Sequence, residues 1–555
     1  MPEQKPTIER LNGWKLRSAL AAVRFGPIRR AVARQIREDL GIDAALALDT
    51  NVRSPMPLDY KPVRARPSRV VAGDLALAPA PTAVPSARGW TERYASGEAT
   101  PIEVVELAIS QARRLAGERP SMSCFTYLDE EGAMRDARAS TSRWANGEPL
   151  GPLDGVVVPV KEMVDIDGSG YRLGTGVLPV RPDAVDQTAV ARLRAAGAII
   201  LGHTVMVELG LSPMGTNVHR TMPRNAQAAD RVAGGSSTGS VVAVASGLAP
   251  VTLACDGGGS VRIPASFNGV FSIKPTAGRV SRCGDGFDGS MDHFGPIGAS
   301  PHDLAVFIET CGGPDRADPI TQHSPELVSG EFVKALGRGV SGMRIGVLNS
   351  EIDDADPEVA KACREALRAL EEEGAELFDV SFDLAKHASA IGFTVIGLET
   401  MVELDAYRPN QWRELGPEAQ LMMHLFDCFH AGEYIDAQCL RTTLRAQVAA
   451  LLRDVDVLAL PTTASVAPRV TDKEMTESFS DIDAVRKACR FTFLGNLTGL
   501  PCGQAPVGSG EAGLPVGLQI IGDAFDEASV LAVLAHLERA GAARVREPRV
   551  SARPF

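Results

Sequence analysis

The chain has 555 residues, of which 45% are hydrophobic and 23% charged, as in soluble globular proteins. Its net charge of −12 argues against nucleic acid as a partner, since a phosphate-binding surface needs an excess of cations. The nine cysteines show no metal-type spacing and the first residues no secretory apolar run, so we expect a cytoplasmic protein with reduced thiols. The longest uncharged stretch, residues 234–255, is rich in Gly and Ser, which indicates a buried loop and helix and no stable membrane insertion.

Residues 1–85 are predicted to form a basic helical extension that ends in a linker. Between Lys15 and Arg37 the chain carries seven cations and no acid, with apolar residues at helical spacing. Gly26-Pro27 should divide this stretch into two helices. Such helices can bind a membrane surface or a partner, but an appendage packed on the main body is favoured here. The stretch "LALAPAPTAVPSARG" is typical of an extended Pro/Ala linker.

Residues 86–548 are predicted to form one domain with alternating helices and strands. Thr100-Pro101 gives an N-cap and first-turn pair for a helix. The apolar runs "GVVVPV" and "AGAIILG" predict strands, and the helical pattern "AVARLRAAG" lies between them, as in α/β folds. Amphipathic helices are predicted over residues 355–375 and 525–540, and residues 385–450 are helix-rich.

Two segments, one with a lysine and one with a serine pair, are candidates for a catalytic site. Lys161 ends the strand "GVVVPVK", where a lysine is usually solvated but would become a base if burial lowered its pKa. The segment "AGGSSTGSVVAVASG" contains G-x-S-x-G around Ser237, yet the preceding "NAQAADRVA" is not the buried strand that a nucleophile elbow needs. A Walker loop is excluded because no Lys-Ser/Thr pair follows the glycines.

The third candidate is "ACDGGGSVRIP", residues 254–264, in which three glycines precede Ser260. Glycine lets the backbone approach a partner closely, and a row of N–H groups beside a hydroxyl could hold an oxyanion. None of the nine histidines has a catalytic context, and His203 is predicted to be a hydrogen-bonded structural group. The sequence contains no zinc-type His/Cys cluster.

Together these three segments resemble the signature elements of the amidase signature family. Ser236 follows Lys161 by 75 residues and precedes Ser260 by 24, which fits the family pattern. The flanking sequence is also similar from about Gly89 to Glu547, for example in "FNGVFSIKPTAGRVS", "DHFGPIGAS" and "NLTGLPCGQAPVGSGEAGLPVGLQIIG". The resemblance implies a single α/β/α domain around a large mixed sheet, which hydrolyses a small-molecule amide without metal or other cofactor. It also allows a homodimer.

The resemblance implies a Ser–Ser–Lys triad. Ser260 would be the nucleophile, Ser236 the bridging serine after a cis peptide bond, and Lys161 the neutral base. The further site residues that it implies are the oxyanion-hole or substrate-binding glycines and a set of supporting residues: Gly257, Gly258, Gly259 and Gly210, and Ser237, Asp256 and Arg262. Asp256 and Arg262 are expected to brace the glycine loop.

Three functions remain open on these residues. The first is an amidohydrolase for apolar acyl or aryl amides, and also esters, with a pocket built from residues 203–222 and 385–440. The second is the glutaminase subunit of a tRNA-dependent amidotransferase, in which a glutamine usually stands where this chain has Ile263. The third, an inactive scaffold, ranks last because all three triad positions are present.

Overall fold

An eleven-stranded mixed sheet forms the centre of the protein. The computed structural model describes residues 10–49, 52, 63–65, 73–79, 83–170, 172–178, 181–283, 289–407 and 411–549. The strands are β1 (Leu11–Asn12), β2 (Phe125–Leu128), β3 (Val157–Lys161), β4 (Ile199–Thr204), β5 (Val251–Cys255), β6 (Phe271–Lys274), β7 (Phe294–Gly298), β8 (Arg344–Val347), β9 (Glu376–Asp379), β10 (Val457–Pro461), β11 (Phe479–Ser480), β12 (Cys502–Ser509) and β13 (Pro515–Gly522). The large sheet has the order β2-β4-β3-β5-β7-β6-β12-β13-β10-β8-β9, and β1 and β11 form a separate pair.

Twenty α-helices surround this sheet in the described part of the chain. They are α1 (Gly13–Val23), α2 (Gly26–Asp39), α3 (Ile42–Leu46), α4 (Ala87–Ser96), α5 (Pro101–Gly117), α6 (Glu130–Ala145), α7 (Thr188–Ala195), α8 (Thr238–Ala245), α9 (Arg262–Asn268), α10 (Pro301–Cys311), α11 (Glu331–Ala335), α12 (Asn349–Asp353), α13 (Pro357–Glu372), α14 (Ala388–Glu403), α15 (Pro417–Phe426), α16 (Ala431–Asp454), α17 (Asp472–Glu477), α18 (Ile482–Cys489), α19 (Phe493–Thr498) and α20 (Glu527–Arg539). No helix among these residues is long and apolar enough to cross a membrane.

Helices cover both faces of the sheet, which confirms the expected α/β/α arrangement. On β13, Gly522 faces Val530 of α20, whereas Gly517 faces Ser266 of α9. These two glycines have opposite parity on one strand and therefore point to opposite faces. Strands β3, β4 and β5 are buried along their whole length, as expected for parallel strands covered by helices on both sides.

Most elements predicted from the sequence are confirmed, with bounds within a few residues. Thr100 accepts a hydrogen bond from the Glu103 N–H while the Glu103 carboxylate accepts from the Thr100 N–H, a capping box that fixes the start of α5. The two predicted strands correspond to β3 and β4, with α7 between them. The predicted C-terminal helices correspond to α13 and α20.

The basic extension divides at Gly26-Pro27 into α1 and α2, as predicted. Both helices contact α15, and α1 buries Leu16, Leu20 and Val23 against Leu421. Strand β1 pairs with β11, and Arg29 makes an ion pair of 3.0 Å with Asp427. The N-terminal extension therefore packs against α15.

The predicted linker runs along the main body where the structure describes it. The Leu75 N–H donates to the carbonyl of Gly337, and Arg88 donates to the carbonyl of Ala78. Residues 80–82 of the linker lie outside the described residues. The division at residue 85, the homodimer and the cytoplasmic location stay predictions.

Candidate active site

Lys161 is buried at the carboxyl end of β3, in the interior of the sheet. Only 1% of the residue is exposed, and its amine lies between the loop before α8 and the end of β5. Its Nζ donates to Ser236 Oγ at 2.7 Å and to the carbonyl of Cys255 at 3.3 Å. Burial lowers the pKa of Lys161 below its ordinary value of 10.5, although the nearby Cys255, Asp292 and Asp256 oppose this shift. The site therefore favours a neutral amine.

Ser236 lies directly beside this amine in the loop before α8. The Gly235–Ser236 peptide bond is cis, as the resemblance implies. The carbonyl of Ser236 accepts a hydrogen bond from the Val207 N–H, and only 2% of the residue is exposed. Gly210 lies on the other side, where an added Cβ would be 3.5 Å from Ser236 Oγ. The Gly210 N–H donates to the carbonyl of Val207, so it is not a free donor, and the φ of 70° at this position favours glycine.

Ser237, the central residue of the G-x-S-x-G match, points away from the cavity that holds the triad. It is fully buried, and its hydroxyl donates to the carbonyl of Cys255 at 3.3 Å. Lys161 donates to the same carbonyl. Ser237 thus ties the loop of Ser236 to the end of β5, which is the supporting position expected for it.

An ion pair between Asp256 and Arg262 holds the loop that carries Ser260. Both side chains are completely buried and lie 2.7 Å apart. Asn496 donates to the Asp256 carboxylate and to its backbone carbonyl, which ties the loop to α19. Burial alone would raise the pKa of Asp256, but Arg262 and Asn496 hold it well below its ordinary value. Asp256 is therefore a permanent carboxylate whose charge Arg262 neutralises.

The glycine loop differs from the expected oxyanion hole at one position. The Gly259 N–H donates to the Asp256 carboxylate at 2.7 Å and is not available to an oxyanion. Gly259 instead has a φ of 124°, and an added Cβ would lie 2.5 Å from Thr492 Oγ1, so the position requires glycine. Within the described residues, the N–H groups of Gly257, Gly258 and Ser260 have no hydrogen-bond acceptor.

All three predicted triad residues line one cavity of about 70 Å³. Its other walls are mostly apolar, and both variable regions named from the sequence contribute to them. The apolar side chains are Met163, Leu209, Leu211, Pro213, Ile263, Phe393, Ile396, Met422, Phe426 and Phe493. Met422 and Phe426 belong to α15, so the N-terminal extension supports a wall of this cavity from behind.

Two wall residues were not singled out from the sequence. Asp292 lies against the glycine loop, where an added Cβ on Gly257 would be 2.4 Å from its Oδ1. Burial raises the pKa of Asp292 to about 6, with Glu399 adding to the shift and Arg282 and Lys161 opposing it. Phe493 closes the cavity beside Gly258. Asp292 stands in the quoted "DHFGPIGAS", so the only signal was an acid in a segment shared with the family.

His203 and Lys274 are buried, but neither lines this cavity. His203 Nε2 lies 2.9 Å from the carbonyl of Val164, and its Nδ1 lies 3.2 Å from Ser169 Oγ. Burial lowers the pKa of His203 to about 4, so it is a neutral, hydrogen-bonded group, as predicted. Lys274 donates to the carbonyl of Pro275. In the described part of the chain, no cluster of three or more acidic, His or Cys side chains could hold a metal ion.

Replacing Arg262 should damage both the fold and the glycine loop. Arg262→Met leaves the Asp256 carboxylate buried without its partner, which should lower the free energy of unfolding by about 3–5 kcal/mol. Arg279→Met is the matched control, because Arg279 is equally buried and pairs with Glu527 at 3.1 Å away from the cavity. Thermal unfolding should show similar losses for both variants.

The rate at which Ser260 reacts with a fluorophosphonate should distinguish Arg262→Met from Arg279→Met. We expect Arg262→Met to slow this reaction by about 100-fold, since the N–H groups of the glycine loop are no longer aligned beside Ser260. Arg279→Met should react at the normal rate per folded molecule. Equal rates for the two variants would show that Arg262 does not position the loop.

Comparison with known proteins places this site in a family. The sequence profile described as Amidase matches residues 103–531. The fatty acid amide hydrolase of Medicago truncatula is 32% identical over 471 residues, covering 83% of this chain and 77% of the relative. One of the subunits of the glutamyl-tRNA(Gln) amidotransferase of Roseiflexus castenholzii is 32% identical over 487 residues, covering 83% and 96%.

The solved structures agree with the sequence relatives. A bacterial aryl acylamidase of the amidase signature family superposes with a TM-score of 0.73 at 28% identity, covering 82% of this chain and 96% of its own. The match to the profile spans all three triad positions. The chain therefore belongs to the amidase signature family, whose members are hydrolases of amide C–N bonds.

Proposed function

We propose that this protein hydrolyses apolar acyl or aryl amides through an acyl-enzyme on Ser260, with Ser236 and Lys161 as a proton relay. The observation that carries this proposal is the 2.7 Å contact between the buried Lys161 Nζ and Ser236 Oγ, in the wall of the cavity that also exposes Ser260. A neutral amine in hydrogen-bond contact with a hydroxyl can accept its proton. The following steps are derived from this arrangement.

In the first half-reaction, Ser260 Oγ attacks the carbonyl carbon of the amide. Its proton passes to Ser236 Oγ, while the proton of Ser236 passes to the amine of Lys161. The carbonyl oxygen takes the negative charge and is bound by the N–H groups of Gly257, Gly258 and Ser260. Because the Asp256 charge is already neutralised by Arg262, the loop does not repel this oxyanion.

The relay then runs backwards. Lys161 returns its proton through Ser236 to the nitrogen of the leaving amine as the C–N bond breaks, which leaves an ester on Ser260. Water attacks this ester, with its proton taken by the same relay, and the acid product departs as Ser260 regains its own proton. An ester substrate would form the same acyl-enzyme, so ester hydrolysis is also expected.

The cavity walls support an apolar acyl or aryl group as the substrate. Ten of the wall side chains are aliphatic, aromatic or thioether groups, which favour an apolar partner. The volume of about 70 Å³ is small beside the roughly 300–1,000 Å³ of typical ligand pockets. A short or flat group therefore fits best, and a long acyl chain would require wall residues such as Phe426 and Met422 to move.

The glutaminase function is the second candidate, and Asp292 favours it. The Asp292 carboxyl reaches the cavity and could pair with the ammonium group of glutamine. However, the described lining contains no arginine and no lysine other than Lys161, so the carboxylate of glutamine would lack a cationic partner. Ile263 also faces the cavity, at the position where the amidotransferase subunits usually have glutamine.

The nucleophile can be identified by intact mass after treatment with a fluorophosphonate. Wild-type protein should gain one adduct per chain, and Ser260→Ala should gain none, because only Ser260 lies beside the free N–H groups. Ser237→Ala is the matched control and should still be labelled, since Ser237 is fully buried and donates to Cys255. An adduct that persists on Ser260→Ala but disappears on Ser237→Ala would move the nucleophile to the G-x-S-x-G serine.

Substrate preference can be measured as kcat/KM on an aryl amide, acetamide, a long-chain acyl amide and glutamine. We expect the aryl amide to exceed glutamine by about 100-fold or more, because an unpaired carboxylate is costly to bury in this cavity. Phe426→Ala should raise the long-chain rate relative to acetamide, since it enlarges the cavity. A preference for glutamine would contradict the proposed substrate class while leaving the acyl-enzyme chemistry intact.

A further inference from the structure

A second and larger cavity lies on the other side of the Lys161 strand end. Its volume is about 470 Å³, and none of its lining residues is shared with the catalytic cavity. The walls come from five separate stretches of the chain: residues 123–127, residue 162, residues 169, 170 and 172, residues 203–205, and residues 219–221. A cavity of this size has room for a metabolite-sized molecule.

Two arginines and one glutamate give this cavity a positive balance of charge. Arg220 lies 3.3 Å from Glu162, while Arg172 donates its Nε to the carbonyl of Leu178. No hydrogen bond from the terminal nitrogens of Arg172 is found within the described residues. One positive charge in the wall is therefore not bonded to an acidic partner.

The two imidazoles of the wall do not change this balance. His203 is neutral because burial lowers its pKa to about 4. His219 lies 3.0 Å from Glu208, so these two side chains are paired with each other. The excess charge of the cavity wall therefore comes from Arg172.

The cavity wall also contains one buried acceptor and one buried donor that have no hydrogen-bond partner among the described residues. Glu162 is 3% exposed, and its Oε2 is buried without a hydrogen-bond donor. Burial raises the pKa of Glu162, and the Thr126 hydroxyl in the same wall is close enough to oppose this shift, but its own hydrogen bond goes to the carbonyl of His203. The Nε of Arg220 is buried without an acceptor. Buried polar atoms are rarely left unpaired in proteins, so both atoms point to a missing partner.

We propose that this cavity is a second binding site, for a small carboxylate that also carries an N–H or O–H donor. The carboxylate would pair with Arg172, whose planar fork suits two carboxylate oxygens. The donor would satisfy Glu162 Oε2, and the single excess positive charge matches a monoanion. Neither group would find such partners in the mostly apolar catalytic cavity.

The backbone connects this second site to the catalytic cavity. Glu162 directly follows Lys161, and its carbonyl accepts a hydrogen bond from the Leu173 N–H. The carbonyl of Leu173 in turn accepts from the N–H of Leu209, which lines the catalytic cavity next to Gly210. Two backbone hydrogen bonds therefore join the two sites.

Calorimetric titration of the Ser260→Ala protein with hippurate (N-benzoylglycine) tests the proposal. Hippurate has both the carboxylate and the N–H donor, and this variant lacks the hydroxyl proposed to attack it, so binding is measured independently of the proposed reaction. We expect one site per chain, with affinity at least tenfold weaker for methyl hippurate, which lacks the charge, and for 3-phenylpropanoate, which lacks the donor.

Variants locate the bound molecule. In the Ser260→Ala background, Arg172→Met should weaken hippurate at least tenfold, whereas Arg135→Met, an exposed arginine paired with Asp136, should not. Thr221→Trp should also block binding by filling the cavity, and it tests the same point if Arg172→Met fails to fold. Absence of binding, or binding unchanged by Arg172→Met and Thr221→Trp, would overturn the proposal. Binding lost only in Phe426→Ala would place hippurate in the catalytic cavity and overturn it equally.

Discussion

The site depends on keeping the Lys161 amine out of water. A lysine at a strand end would ordinarily extend into water and stay charged, but this one is 1% exposed and its amine contacts the Ser236 loop and the end of β5. The cost of burying an ammonium group favours the neutral amine, and Ser236 and the Cys255 carbonyl satisfy its hydrogen bonds. The packing of the Ser236 loop and the end of β5 around this amine therefore determines which protonation state it favours.

The second requirement is a loop of free N–H groups that does not carry net charge. Asp256 organises this loop by accepting from the N–H groups of Gly259 and Val261, which would place a negative charge near a developing oxyanion. Arg262 cancels that charge at 2.7 Å and is itself held by Asn496 and Gln519. The buried ion pair thus separates two tasks: Asp256 shapes the loop, and the remaining amides are left for the substrate.

The sequence predicted what is encoded locally or in a family pattern. The helix of Thr100, the break at Gly26-Pro27 and the buried strand before Lys161 follow from capping, proline geometry and hydrophobic runs. The engagement of the Gly259 N–H could not be predicted, because it depends on a carboxylate orientation fixed by Asn496, 240 residues away. The second cavity could not be predicted for the same reason, since five separate stretches of the chain form it and no local pattern marks Glu162.

The pH dependence of Ser260 labelling by a fluorophosphonate tests most directly whether Lys161 is a neutral base. The second-order rate constant should rise tenfold per pH unit and level off well below pH 10.5, the ordinary pKa of lysine. Asp292→Asn should keep this inflection but move it to lower pH, because the Asp292 charge raises the pKa of Lys161. A rate that still rises through pH 10.5 would contradict the account.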